Sequence, residues 1–156
     1  MKFPQPLPGL VVCFSYLWRG QKEEGWEEGI KDRPCAIVAA IQKKRTDEKG
    51  EAKEQLQVSL IPITTSQPKN LAEAVEIPPA TRKRLGLAED KPCWAICSEI
   101  NTTDWPGYDL RPVPGTKPPR FEYGFLPPTL LRDIQEKVSF VAQGKKLKVV
   151  SRNENL

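Results

Sequence analysis

Pro34-Cys35-Ala36-Ile37-Val38-Ala39-Ala40-Ile41 and Gln55-Leu56-Gln57-Val58-Ser59-Leu60-Ile61-Pro62-Ile63 are the two stretches whose reading decides the fold. The first is a nearly continuous apolar run, as expected of a strand covered on both faces. The second sets Leu56, Val58 and Leu60 against Gln57, Ser59 and Ile61, a period close to two that makes it the antiparallel neighbour of the first. Charged residues 43–54 connect the pair. Pro62 ends or interrupts the second strand, and Thr64-Thr65-Ser66-Gln67-Pro68 makes a polar corner after it.

Outward from this pair, Leu10-Val11-Val12-Cys13-Phe14-Ser15-Tyr16-Leu17-Trp18 is β-branched and aromatic after a Pro8-Gly9 break, and it reads as strand one. Residues 19–32 carry three glycines and no apolar period, so a long mobile loop is expected. Pro78-Pro79 and Gly86 bracket a short helix over residues 80–85. Residues 93–100 return to strand, with Cys93, Ala95 and Cys97 on one face. Trp105-Pro106-Gly107-Tyr108 is a turn, residues 111–120 a proline-rich loop, and residues 121–126 another strand. Pro127-Pro128 then opens the clearest helix, with Leu130, Leu131, Ile134, Val138 and Val141 near helical spacing and Gly144 at its end. Residues 147–150 add an edge strand. The order predicts a mainly β fold, a small barrel packed on a C-terminal amphipathic helix, with other helices short.

The 156 residues suit one domain that buries about two thirds or more of its unfolded surface. Prolines at positions 4, 6 and 8 do not open a signal-peptide helix, and the apolar run over residues 10–14 is far short of a membrane span, so a cytoplasmic protein is expected. Cys13, Cys35, Cys93 and Cys97 form no Cys-x-x-Cys pair and sit in apolar runs, as buried reduced thiols do. Net charge is +4 and the pI about 8.9, below the level of a strongly basic nucleic-acid domain. The basic runs Lys43-Lys44-Arg45, Arg82-Lys83-Arg84 and Lys145-Lys146 read as solvated faces or turns.

With no histidine anywhere, Ser-His-Asp and Cys-His catalysis are excluded. No Gly-x-x-x-x-Gly-Lys loop cradles a nucleotide, and the carboxylates do not cluster as a metal site requires, so neither metal nor cofactor is expected. What remains is Arg33, where a loop enters a buried strand, and the hydroxyls of Thr64, Thr65 and Ser66. In an antiparallel sheet these two ends meet.

At those residues the chain resembles the MazF/PemK family of toxins. Asp32-Arg33-Pro34-Cys35-Ala36-Ile37-Val38 is similar to the family's Arg-Pro element, Val58-Ser59-Leu60-Ile61-Pro62-Ile63-Thr64-Thr65-Ser66 to its strand ending in a Pro-Ile-Thr-like step, and Glu99-Ile100-Asn101-Thr102-Thr103-Asp104-Trp105 to its third element. The resemblance implies an SH3-like barrel, usually a homodimer, that cuts single-stranded RNA without metal by turning the 2′-hydroxyl onto phosphorus. It also implies a cognate antitoxin, through which alone DNA is engaged. Arg33 and Thr64 match the family's active-site arginine and threonine, and Glu28 lies where some members place a loop glutamate. Trp26, Thr65, Ser66 and Asn101 are the corresponding candidates for RNA contact. Asn101 stands where the family often has a basic residue, and Ile96-Cys97-Ser98 lacks an Arg-x-Asp pair found in some members, which leaves the general base unassigned. Two other readings follow from these departures: a barrel that binds RNA or a protein partner without cutting, and a peptide-binding module. On the first reading, the loop over residues 19–32, with Trp26 at its middle, is where substrate and inhibitor compete.

Overall fold

The structure, a computed structural model, describes residues 2–25, 31–87 and 90–153. In chain order its elements are β1 (Leu10–Phe14), α1 (Arg19–Glu23), β2 (Arg33–Thr46), β3 (Ala52–Thr64), β4 (Ala74–Glu76), α2 (Pro79–Leu85), β5 (Trp94–Ile96), β6 (Glu99–Asp104), β7 (Glu122–Phe125), α3 (Pro128–Gln143) and β8 (Lys148–Ser151). The chain is mainly β, with two short helices and the amphipathic α3 near its end. Among the described residues no helix is long and apolar enough to cross a membrane.

β2 and β3 pair antiparallel from Cys35↔Pro62 out to Thr46↔Ala52, farther than the sequence predicts. The added residues are polar on both faces, so no burial period announces them. Their turn is set by Asp47, whose carboxylate accepts the N–H groups of Lys49 and Glu51 at 2.9 and 2.8 Å. Pro62 does not interrupt β3. It lies where β3 changes partner, from β6 at residues 57–60 to β5 at Ile63 and Thr64, so its missing N–H falls between two ladders. The same point divides the strand expected over residues 93–100: Cys97 and Ser98 bulge out opposite Pro62, leaving β5 and β6.

The hydrogen-bonded path runs β4-β5-β3-β2-β1-β7, and β6 pairs with β3 and, in parallel, with β8. After β6 the chain turns at Trp105 and returns to β1, where Leu110 bridges Phe14. Ser15 N–H donates to the Asp109 carbonyl at 2.8 Å and Arg111 N–H to the Cys13 carbonyl at 2.9 Å. Thus β1, β2, β3 and β6 close into a small barrel through that return segment. Its interior holds Val12, Phe14, Ile37, Val58, Leu60 and Trp105, and its outer wall lays Val11, Val38 and Ile61 against Leu85 of α2 and Leu130 and Ile134 of α3. All of β1 is buried, with Val11 in one core and Leu10, Val12 and Phe14 in the other. Each fully buried side chain of this size contributes roughly 1.5–3 kcal/mol.

Two sequence expectations change near the N-terminal end. Strand one stops at Phe14, because Leu17 is drawn out of the ladder by Asn101: its N–H donates to Asn101 Oδ1 at 2.9 Å and its carbonyl accepts from Nδ2 at 2.8 Å. The expected loop begins with the helix α1, started by the Gln21 side chain accepting Trp18 N–H at 3.1 Å and the Glu99 carboxylate accepting Arg19 N–H at 2.6 Å. Trp26 and Glu28 lie outside the described residues. The four cysteine thiols are buried and unbridged, and burial pushes the Cys97 thiol up to about 12.

Candidate functional site

Arg33 opens β2, opposite Phe14 of β1. Its side chain has the parity of Cys35 and Ile37, so it points to the barrel's interior face at one end. There the guanidinium carbon stands 5.2 Å from the centre of the Trp18 ring, and Trp18 meets Tyr16 edge-on at 5.2 Å. A cation over an indole is worth about 0.5–2 kcal/mol, the more as water is excluded. Arg33 Nε is buried and has no hydrogen-bond partner among the described residues. Burial lowers the arginine's pKa, an effect countered by the nearby Cys35 and Tyr16.

Two further groups complete the cluster. The Tyr16 hydroxyl is also buried without an aligned partner among the described residues, and its pKa is raised well above the usual phenol value, first by burial and then by the Glu99 charge. Glu99, at the start of β6, is itself buried. Burial raises its pKa against the opposing pull of the Arg19 N–H and Lys148. A cation, a phenol and a carboxyl therefore meet at one barrel end beside an indole. Burying donors without partners costs about 1–3 kcal/mol each.

Extending the Cys35↔Pro62 register by two residues sets Thr64 opposite Arg33, with the parity of Leu60 and hence on the same face. The Thr64 hydroxyl accepts Ser66 N–H at 3.1 Å in a turn of its own, leaving its proton to donate. Thr65 and Ser66 are exposed at this corner. Asn101 is a correction: it is 0 % exposed and both ends of its amide are spent on Leu17, so it holds the barrel together and faces no solvent. Arg152 joins it, donating to Asn101 Oδ1 at 3.2 Å and to Asp109 at 2.8 Å.

Sequence reasoning missed Tyr16, Trp18 and Glu99. Tyr16 and Trp18 look like the end of an apolar strand. The signal for Glu99 is its being the lone acid of an otherwise uncharged stretch, residues 92–103. No protein-family model and no curated protein matches the chain.

Proposed function

We propose that the chain is a metal-independent endoribonuclease of toxin type, acting as a homodimer on single-stranded RNA and held inactive by a partner antitoxin. The observation that carries this reading is Arg33: a guanidinium braced on Trp18, with a buried donor lacking a partner among the described residues, on the same barrel face as Thr64. When a 2′-hydroxyl attacks phosphorus, negative charge grows on the phosphoryl oxygens. A fixed planar guanidinium supplies paired donors to them, and the Thr64 hydroxyl reaches another oxygen. Arginine acts here as a charge and a donor, since its pKa keeps it protonated and unsuited to proton transfer. The products are a 2′,3′-cyclic phosphate and a 5′-hydroxyl.

A second reading, a barrel that binds RNA or a protein partner without cutting it, is favoured by Asn101, which stands where the family often has a basic residue and whose amide is bonded to Leu17. One experiment separates the two. Wild type and Arg33→Ala are incubated with single-stranded RNA in the presence of a chelator, with circular dichroism as the fold control. Cleavage to cyclic phosphate ends is expected for the wild type, with a loss of about 10²- to 10³-fold in the variant. Binding without cleavage by the wild type establishes the second reading, and full activity in a folded Arg33→Ala removes Arg33 from the chemistry.

A further inference from the structure

The ladder that carries Arg33 continues past Thr64. β2, β3, β5 and β4 are successive neighbours in the sheet, and Thr64 pairs with Trp94, which pairs in turn with Glu76. Residues opposite one another in a ladder share a face. With the Arg33–Thr64 register given above, Arg33, Thr64, Trp94 and Glu76 therefore form one row across these strands. The alternate residues point the other way: Ile63, Cys93 and Ala95 lie in the core that holds Leu85 of α2 and Ile134 of α3. Trp94 is half-buried and, among the described residues, belongs to neither core. Trp18 differs, because it packs on the barrel core and its ring is already met by the Arg33 guanidinium.

The charges along the row set what can lie on it. At one end stand a guanidinium whose buried Nε lacks a partner among the described residues and a hydroxyl whose proton is left to donate, both suited to a phosphate. At the other end the exposed Glu76 carboxylate repels one. Between them lies an uncharged indole, one strand spacing from Thr64 and two from Arg33, about 5 and about 10 Å. In a nucleic-acid strand a base hangs one sugar away from its phosphate, a reach of that order, and it offers the flat surface on which an indole stacks. We propose that Trp94 is a base platform: with an RNA phosphate held by Arg33 and Thr64, the adjoining base lies on the Trp94 indole, and the strand crosses β3 and β5 instead of running along them. This rests on RNA being the ligand of the Arg33 site, whether or not it is cut there. Every base has a face to stack, so Trp94 supplies affinity and positions the phosphate without choosing a sequence.

The probe is a fluorescein-labelled RNA of eight nucleotides, mixed in sequence and 2′-fluoro at every sugar, so that no 2′-hydroxyl can attack and binding is read apart from cutting. An abasic oligomer of the same length and backbone is the control. Anisotropy titrations on the full chain at low ionic strength compare wild type, Trp94→Phe, Trp94→Leu and Trp94→Ala, with circular dichroism as the fold control. Trp94→Leu keeps apolar bulk without a ring and carries the comparison should Trp94→Ala not fold. Trp94→Ala and Trp94→Leu are expected to bind the RNA about tenfold more weakly, and Trp94→Phe within about threefold of wild type. All are expected to bind the abasic oligomer alike, with the same salt dependence. Equal RNA binding by the wild type and a folded Trp94→Leu overturns the proposal. So does an equal loss on the abasic oligomer, which makes Trp94 a structural support of Arg33. Absence of RNA binding by the wild type at about 1 mM also overturns it and leaves the indole to a protein partner. The cleavage reading fails separately: a wild type that binds the probe but leaves unmodified RNA intact loses that reading and keeps the platform.

Discussion

Glu99 holds its carboxyl where burial disfavours the charged form, and this gives the molecule a pH dependence of known sign. Its folded pKa is raised, so between the usual carboxylate range and that raised value the folded chain keeps a proton that the unfolded chain has released. Its contribution to stability is therefore fully present at low pH and is lost as the pH rises through the folded pKa. Glu99→Gln keeps an oxygen for the Arg19 N–H and removes the titration. Urea unfolding across a pH series is expected to show a falling limb in the wild type that the variant lacks; an unchanged limb in Glu99→Gln assigns it to another group. At this scale the sequence was half legible. Arg33 stands out because a charged residue beside proline marks the junction of a polar segment and a buried strand. Its companions do not, because Tyr16 and Trp18 carry the signature of core residues and meet Glu99 across a chain separation that no local pattern spans.

Gly124 shows where an element depends on a missing side chain. It lies in β7 at φ +134, opposite the register shift at Val11 and Val12, and a Cβ there would come within 2.8 Å of Leu85 Cδ2 on α2. Gly124→Ala is expected to destabilise the fold by about 1–3 kcal/mol, part from the backbone and part from the clash. Leu85→Ala in the same background should return the clash part alone, so a double-mutant cycle by urea unfolding separates them; strictly additive losses show that α2 and β7 do not press on each other. α2 itself was legible, since Pro79 at its first position and Gly86 at φ +71 after its end are local signals. The outer half of the β2–β3 hairpin was not, because its residues are polar on both faces and its order comes from cross-strand bonds and the Asp47 turn. β4 is three residues long and acquires its strand form from β5.

For the whole molecule the seam of the barrel matters most. Arg152, with its side chain 3 % exposed, donates to Asp109 and to the Ser15 carbonyl and lies 5.7 Å from the Phe14 ring centre, tying β1, β6 and the return segment together. Arg152→Ala removes these buried, charge-assisted bonds from the seam and is expected to cost about 3–5 kcal/mol in urea unfolding; a loss below about 1 kcal/mol would mean the seam holds without it. A β-rich chain was legible from the alternation of its strands, whereas the closing seam was not, because it is made by polar groups from distant segments. That closure also has a kinetic side. The β2–β3 hairpin joins neighbours and forms on the microsecond scale, whereas the Leu17–Asn101 and Ser15–Arg152 contacts span 84 and 137 residues and wait for slow, long-range loop closure. Arg33 belongs to the hairpin, but Tyr16, Trp18 and Glu99 reach it only when the seam shuts. In stopped-flow refolding, hairpin signal should therefore appear before Trp18 fluorescence reaches its native value, and the chain spends its early life carrying the arginine without the environment that sets it.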